Sequence, residues 1–373
     1  MSSVFFIHSL RFGVNGSSCL TPGGIDDAYL SRFGDAGYSK VYLISRSTTQ
    51  FEKRGGSYRL LSNVDGKYLW PNVGYLFFFN ALLYIRLLKG FDKKQDLFVI
   101  NFPAVSAIFF LPFCALFKLP YVVEIASDSN QFRTKPLGSI IDFMNYTLGL
   151  FLIPRAKGAL YVSDFLRAKW PVKHAEVLSN VIIHEVVNPK SLRVGSKRFR
   201  VVLVGAVSRR KGIDLLCSHF EEPPAGLRFD IYVVGPVLEP QLKNDLQLRS
   251  SESIRFFFPG VVSKDEVLRL LHSADVYLQL SRSEGLPRAC LEAMSCGLPV
   301  LCSRLPGLEG IVDEENLHEI ESSPYKPLSA LLTNEDWYIR SSKSSVKMAN
   351  RFLNSKLRQR RKAFYSAIRY GKV

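Results

Sequence analysis

Several features that mark particular protein classes are missing from this sequence of 373 residues. Its six cysteines, at positions 19, 114, 217, 290, 296 and 302, do not form the closely spaced pairs typical of zinc sites. We therefore predict free thiols in a reducing compartment and no metal site. The first eight residues lack the basic region and the long apolar core of a signal peptide, so synthesis into the cytoplasm is expected.

Acidic residues are also absent from the end of the chain, and charge is unevenly distributed along it. Residues 337–373 contain 11 lysines and arginines and no acidic residue. Residues 1–185 have 20 basic against 13 acidic residues, and residues 186–336 have 18 against 20. The net charge of +16 therefore comes from the first part and from the end of the chain. The near-neutral middle part argues against nucleic acid as a partner, although a non-enzymatic basic nucleic-acid-binding protein remains an alternative.

Short apolar runs alternate with helical stretches over two long parts of the chain. The predicted strands are 4–7, 41–45, 97–101, 121–125 and 159–162 in the first part, and 201–204, 229–234, 254–258, 276–280 and 300–302 in the second. This alternation predicts an α/β protein with two doubly wound domains, each with a parallel sheet. We place the domains at 1–185 and 186–336, followed by a basic helix over 337–373.

One apolar stretch, residues 97–117, could be mistaken for a membrane span. It contains Pro103 and Pro112, and turn signals follow it. A buried strand and a crossover helix explain the same residues better, because the two prolines interrupt the stretch.

The most informative segment is a loop-to-helix junction that carries two glutamates, Glu284 and Glu292. It follows a predicted buried strand, and Pro287 suits the first turn of the next helix. The backbone N–H groups of Gly285 and Leu286 and the helix dipole would then face one point, which favours a diphosphate. Because the two glutamates lie in the loop and inside the helix, they can reach different ends of one nucleotide-sugar.

This pair of glutamates, followed by Ala-Met-Ser-Cys-Gly-Leu-Pro-Val, resembles the signature of retaining GT-B glycosyltransferases of family 4. The resemblance implies a GT-B fold with a donor cleft between two Rossmann-like domains, an acceptor-binding domain over 1–185 and a donor domain over 186–336. It also implies that the basic helix over 337–373 crosses back onto the first domain. It also implies that Glu284 contacts the donor sugar and that Glu292 binds the ribose hydroxyls. Two solvated helix carboxylates are the alternative interpretation of the same residues.

A basic turn follows the strand 201–204, with Gly205 at its start and Arg209, Arg210 and Lys211 beyond. Ligands of open α/β sheets bind at the carboxyl ends of the strands, so Lys211 and one of the two arginines can neutralise a diphosphate leaving group. A solvated basic turn is an equal alternative. Members of the family that this chain resembles carry an arginine directly after the glycine. Here that residue is Ala206, and we take Arg210 as its substitute.

Other site residues follow from the resemblance. It implies that the backbone at Val262 meets the nucleotide base and that Gly23 and Gly24 approach the donor phosphate, which glycine permits. A plain turn is the alternative for the glycine pair. The family's histidine after the strand 121–125 is absent, so Asp128 or Glu124 is expected to orient the acceptor or the sugar. Asp128 could equally cap the next helix.

The predicted activity is transfer of a hexose from a nucleotide-diphosphate sugar to a lipid-linked or glycan acceptor, with retention of configuration. We assign Glu284, Lys211 and Asp128 to catalysis and expect no cofactor and no metal. A GT-B nucleotide-sugar epimerase is the alternative enzyme, although this chain supplies its acid and base groups poorly.

The basic tail and the aromatic run at 75–79 suggest an anionic membrane surface as a partner. The protein is therefore expected to be cytoplasmic and peripheral at the cytoplasmic face of the membrane. An ordinary helix with a solvated basic face is the alternative for the tail.

Overall fold

A computed structural model gives the fold of the chain. The residues described are 2–8, 13–15, 18–20, 32–45, 49–54, 57–63, 81–126, 138–178, 183–193, 195–224, 226–284, 287–319 and 321–371. The chain divides into two compact units, residues 1–182 with 357–373, and residues 183–356.

The first unit is built on an eight-stranded sheet with the order β10-β9-β8-β7-β1-β4-β5-β6. Its strands are β1 (Ser3–His8), β4 (Lys40–Ser45), β5 (Thr49–Arg54), β6 (Ser57–Asn63), β7 (Leu97–Phe102), β8 (Tyr121–Ile125), β9 (Gly158–Tyr161) and β10 (Ala175–Val177). Strands β10 to β4 are parallel, and β5 and β6 add an antiparallel hairpin. A separate small hairpin consists of β2 (Gly13–Asn15) and β3 (Ser18–Leu20).

The first unit contains five helices in its described part, and the last of them is the last element of the chain. They are α1 (Ala81–Gly90), α2 (Val105–Leu116), α3 (Gly138–Leu152), α4 (Asp164–Lys169) and α11 (Asn354–Arg369), with a 3-10 turn at Ile153–Arg155. The five strands predicted for this unit are confirmed. The candidate membrane span is β7 followed by α2, as predicted. No helix in the described ranges is long and apolar enough to cross a bilayer.

The second unit has a six-stranded parallel sheet with the order β13-β12-β11-β14-β15-β16. Its strands are β11 (Arg198–Val204), β12 (Arg228–Val234), β13 (Ile254–Gly260), β14 (Val276–Gln279), β15 (Val300–Ser303) and β16 (Leu317–His318). Its helices are α5 (Leu215–Ser218), α6 (Pro240–Leu248), α7 (Lys264–Ser273), α8 (Arg288–Ser295), α9 (Tyr325–Thr333) and α10 (Glu335–Ala349). Short 3-10 turns lie at Arg209–Lys211, Glu314–Asn316 and Asn350–Phe352.

The strands of this sheet are nearly continuous runs of buried apolar residues, such as 201–203 in β11 and 276–278 in β14. Such runs are expected where helices cover both faces of a parallel sheet. The order of the six strands is that of the Rossmann fold. The predicted class, α/β with two doubly wound domains, is therefore confirmed.

The basic tail consists of two helices rather than one. Helix α10 lies in the second unit, and α11 lies in the first, on which it buries Leu357, Phe364 and Ile368. The break comes at Leu353, which has an extended ψ of 131° and pairs with Ile183. That pairing joins residues far apart in sequence, so the helical spacing of the tail gives no sign of it.

Candidate active site

The second unit collects polar side chains at one point of its sheet. Strand β11 has β12 on one side and β14 on the other, so the strand order reverses between β11 and β14. In open α/β sheets, ligands bind outside the carboxyl ends of the strands at this reversal. The loops after β11 and β14 carry Lys211 and Glu284, respectively.

Two glycines give the loop after β11 its path. A Cβ atom at Gly205 would lie 3.2 Å from the side chain of Lys211, whose stem therefore passes close to this glycine. Gly212 has φ +68°, and a Cβ atom there would lie 1.9 Å from the carbonyl oxygen of Leu280. Only glycine permits both this conformation and this approach. The loop is consequently pressed against the end of β14.

Lys211 and Glu284 form an ion pair with each other. Their side chains are only 21% and 12% exposed, and Ser281 Oγ donates a hydrogen bond of 2.7 Å to Glu284 Oε1. Two residues that the sequence placed on separate loops thus meet at the point where the strand order reverses. A lysine ammonium has three N–H donors, so Lys211 can hold Glu284 and an anionic ligand oxygen together.

Arg282 was not predicted as a site residue, yet it ties the two loops together. Its guanidinium donates to both carboxylate oxygens of Asp214, at 2.7 and 2.9 Å, and to Glu321 at 2.6 Å. Its backbone N–H donates to the carbonyl of Arg210 at 3.0 Å. These acidic partners, Asp214 first, raise the pKa of Arg282 above its usual range. The signal in the sequence was a lone arginine two residues before Glu284.

The other two cations of the basic turn point elsewhere. The backbone N–H of Arg209 donates to Glu239 at 2.8 Å, and its exposed guanidinium lies 3.6 Å from the same carboxylate. Arg210 is exposed, and among the described residues no ion pair involves its side chain. The assignment of either arginine to a diphosphate remains a prediction, whereas the position of Lys211 already favours that role.

Glu292 lies on α8, where burial raises its pKa above the usual range and the nearby Lys264 and Arg288 lower it. Helix α8 begins one residue after Pro287, which is its N-cap residue rather than part of its first turn. A buried carboxylate with a raised pKa is a strong acceptor for hydroxyl groups once it is ionised.

Both glutamates lie near one buried phenol, that of Tyr277. Burial chiefly raises the pKa of Tyr277, and the thiols of Cys290 and Cys302 and the carboxylates of Glu284 and Glu292 add to this effect. The two carboxylates therefore lie near the same phenol, one in the loop after β14 and the other on the helix that follows it.

Several predicted residues do not enter this geometry. Gly23, Gly24, Asp128, Gly285 and Leu286 lie outside the described residues, as does the aromatic run 75–79. Val262 is described: it is half-buried, in the loop that joins β13 to α7. Among the described residues, no three His, Cys, Asp or Glu side chains form a possible metal site.

Glu124, the alternative to Asp128, is not available to an acceptor. It is buried in the first unit, where Arg32 Nη2 approaches its two carboxylate oxygens at 2.8 and 2.9 Å. The hydroxyl of Tyr365 on α11 donates to the same carboxylate. Glu124 therefore has a structural role, which its place at the end of a buried strand explains.

Part of the second unit, including the Lys211–Glu284 pair, is similar to known proteins. Residues 187–326 match the family model described as glycosyl transferases group 1. The chain is 27% identical over 240 residues to sulfoquinovosyl transferase SQD2 of Arabidopsis thaliana, and this alignment covers 60% of this chain and 45% of that protein. It is 31% identical over 163 residues to alpha-galactosylglucosyldiacylglycerol synthase of Streptococcus pneumoniae, and this alignment covers 40% of this chain and 38% of that protein. The chain thus spans less than half the length of each relative.

Among solved structures, Anabaena HepE in complex with UDP and glucose superposes on this chain with a TM-score of 0.66 and 15% sequence identity. The superposition covers 96% of this chain and 98% of that one. At this identity the likeness concerns the fold alone. The GT-B fold implied by the glutamate signature is confirmed.

Proposed function

We infer that this chain, whose residues 187–326 belong to the glycosyl transferases group 1 family, is a retaining glycosyltransferase. It moves a hexose from a nucleotide-diphosphate sugar to a lipid-linked or glycan acceptor in the biosynthesis of surface or extracellular polysaccharide. The observation that carries this proposal is the Lys211–Glu284 pair where the strand order reverses, with Glu292 on the adjacent helix. The UDP and glucose bound to HepE support a donor of this kind.

Each side chain of the pair has a separate task in the proposed reaction. Lys211 binds the diphosphate, whose negative charge grows as the bond to the sugar breaks. Glu284 accepts hydrogen bonds from the sugar hydroxyls, and Glu292 accepts them from the ribose. Ser281 and Arg282 hold the two loops in place, because they bind Glu284 and the backbone beside Lys211.

The proposed chemistry proceeds on one face of the sugar. The acceptor oxygen forms a bond to the anomeric carbon from the side on which the diphosphate departs, and the bond between that carbon and the phosphate oxygen breaks. The acceptor's proton passes to the departing phosphate. Glu284 is held by Lys211 and Ser281, so we assign it to sugar binding rather than to nucleophilic attack.

The acceptor and the place of the reaction are also part of the proposal. The name of the pneumococcal relative, a synthase of a glycosylated diacylglycerol, supports a lipid-linked acceptor. A lipid acceptor requires the enzyme to work at a membrane surface, and we propose the cytoplasmic face. Basic residues attract a protein to anionic lipids by about 1 kcal/mol each.

A panel of nucleotides tests the proposed function. Calorimetry and thermal unfolding with UDP, GDP and their hexose derivatives should show one nucleotide diphosphate that binds and raises the Tm. Incubation with the matching nucleotide-sugar should then release the nucleotide diphosphate. Conversion of the nucleotide-sugar into its epimer would favour an epimerase instead, and no binding by any member of the panel would contradict the proposal.

Glu292→Gln should weaken binding of the nucleotide diphosphate by about 1.5–3 kcal/mol, since a charged acceptor of two hydroxyl groups is lost. The affinity of the wild-type protein for the nucleotide diphosphate should also decrease as the pH is lowered. The pKa of Glu292 in the folded protein is raised, so the binding form is present above that pKa and is lost as the pH falls through it. The variant should lack this component, while the titration of the phosphate affects both proteins equally. Equal pH profiles would contradict the ribose assignment.

Glu284→Gln should lower turnover by about tenfold or more and leave the affinity for the free nucleotide diphosphate nearly unchanged, because the proposal gives Glu284 the sugar as its only contact with the donor. Steady-state kinetics and calorimetry on one preparation measure the two effects. Glu252→Gln, at an exposed position of the same unit, is the matched control and should leave both unchanged. Equal losses of turnover and affinity would place Glu284 at the nucleotide instead.

A further inference from the structure

Helix α3 buries small and polar residues and exposes large apolar ones, which is the reverse of an ordinary surface helix. Its buried positions are small or polar: Gly138, Asp142, Asn145 and Gly149. Its exposed large apolar residues are Ile140, Phe143, Met144, Tyr146, Leu150 and Phe151. These are six of the fourteen exposed large apolar side chains in the described part of the chain, which makes α3 its main apolar surface.

This orientation is fixed by contacts on the inner face. Asn145 Oδ1 accepts a hydrogen bond of 3.3 Å from the backbone of Ala104, and its Nδ2 donates one of 3.0 Å to the carbonyl of Ile141. A Cβ atom at Gly149 would lie 2.8 Å from Trp170 and 2.9 Å from Phe102, so no larger residue fits there. The bond to Ile141 lies within α3, but the bond from Ala104 and the packing at Gly149 join α3 to other elements. Rotation of the helix would break these two contacts, and the phenylalanines therefore remain on the outside.

The apolar surface continues onto α2, which packs beside α3. Both helices lead into strands of the same parallel sheet, so their carboxyl ends lie at the same edge. There Leu116 is 77% exposed and Phe117 is 40% exposed, while Phe143 and Phe151 on α3 are 69% and 62% exposed. We call this surface, formed by the exposed apolar residues of α3 with Leu116 and Phe117, the α3 face. Contiguous apolar surfaces of this kind mark sites of association.

Positive charge surrounds the carboxyl-terminal end of the α3 face. Lys93 Nζ donates a hydrogen bond of 2.7 Å to the carbonyl of Phe117, and the guanidinium of Arg155 donates to the carbonyl of Phe151. Lys118 and Lys157 are exposed close by in sequence. The acidic residues in the described part of 92–163 are Asp92, Asp96, Glu124 and Asp142, and of these only Asp92 is exposed.

We propose that the α3 face is the surface by which the protein binds an anionic lipid bilayer, with its aromatic residues in the acyl boundary and its cations at the headgroups. Apolar side chains beside lysines and arginines are the pattern of helices that lie in the membrane interface. Helix α3 has 15 residues and is about 22 Å long, which is too short for the hydrocarbon core of about 30 Å. The proposal deepens the proposed function, because a lipid-linked acceptor is met at such a surface.

The cations of the last helix are less available to a membrane than the charge of the tail suggests. Arg358 pairs with Asp35 and Arg360 pairs with Glu176, both within the first unit, and Arg361 is buried. These residues stabilise the docking of α11. Membrane attraction is therefore better assigned to the cations around the α3 face.

A second copy of the chain fits the α3 face less well than a bilayer does. A two-fold contact through α3 would bring the same basic rim of both copies together, and Asp92 is the one exposed acidic residue in the described part of 92–163 that could compensate. Like charges at an interface oppose association, whereas anionic headgroups favour it.

The test is sedimentation of the full chain with phosphatidylcholine vesicles that contain phosphatidylglycerol. Wild-type protein should bind, and Phe143→Asp with Phe151→Asp should lower the partition coefficient by about tenfold or more. Phe165→Asp with Leu248→Asp, at two exposed apolar positions outside the α3 face, is the matched control and should bind like wild type. Because all four positions are exposed, each protein should keep the wild-type Tm.

Arg155→Gln with Lys157→Gln provides a second variant that leaves the apolar residues in place. It should lower binding to the anionic vesicles by about tenfold and leave binding to pure phosphatidylcholine unchanged. The proposal is overturned if wild-type protein stays in solution, or if the aspartate variant binds like wild type. A wild-type dimer in light scattering that becomes a monomer in the aspartate variant would identify a second copy as the occupant instead. Calorimetric binding of the nucleotide diphosphate without lipid reports separately on the proposed function.

Discussion

Lys211→Ala is expected to lower turnover by about 10²-fold or more, comparable to the loss of one preorganised donor in an oxyanion hole. The departing diphosphate gains negative charge only as its bond to the sugar breaks, so a cation aimed at it acts mainly in the transition state. The structure gives the residue a place for this role, because its ammonium pairs with the Glu284 carboxylate that we assign to the sugar. Single-turnover rates with saturating donor measure the effect. Lys211→Arg should recover part of the activity, since it keeps the charge with a different geometry.

Lys197→Ala is the matched control for this variant. Lys197 is exposed just before β11, at the opposite end of the strand from Lys211, and its loss should leave the rate unchanged. Circular dichroism and the Tm must show that Lys211→Ala is folded, because its removal leaves Glu284 without its cation. A folded Lys211→Ala protein within about threefold of the wild-type rate would mean that the leaving group is stabilised by Arg209, Arg210 or a metal.

Glu124→Ala should lower the free energy of unfolding by about 3–5 kcal/mol, because it leaves the buried guanidinium of Arg32 without its carboxylate. The hydroxyl of Tyr365 loses an acceptor at the same time, so α11 is held less firmly. Urea unfolding measures the loss. Arg32→Met with Glu124→Leu should recover much of it, since apolar residues of similar size often replace a buried ion pair without cost.

The matched control is Arg358→Ala, which removes another ion pair of α11 with the first unit. Arg358 donates to both oxygens of Asp35 at 2.6 and 2.7 Å but is 62% exposed, so its loss should lower the free energy of unfolding far less than Glu124→Ala does. Equal costs for the two variants would show that burial does not set the strength of these pairs. A normal stability for Glu124→Ala would contradict the structural role assigned to Glu124.

The parallel strands could be predicted from the sequence because each is a short run of buried apolar residues between turn signals. The hairpin of β5 and β6 was missed, although two segments separated by Gly55-Gly56 are a recognised hairpin signal. The residues of these strands alternate in polarity less regularly than they would in a half-buried strand. The two-residue strand β16 is too short to leave any pattern.

The positions of Lys211 and Glu284 after their strands could be predicted from the sequence, but their pairing could not. The sequence placed Lys211 and Glu284 each after a strand, yet their pairing depends on β11 lying beside β14, which follows from the order of the whole sheet. The bonds of Arg282 to Asp214 and Glu321 likewise join distant parts of the chain. The outward phenylalanines of α3 were also overlooked, because helical spacing alone does not tell which face is buried.

A crystal structure of the protein with its nucleotide-diphosphate hexose tests the proposed site most directly. We predict diphosphate oxygens within about 3 Å of Lys211 Nζ, the ribose hydroxyls at the carboxylate of Glu292 and the hexose beside Glu284. A nucleotide bound elsewhere, with Lys211 and Glu284 still paired only to each other, would contradict the assignment of this site to the donor.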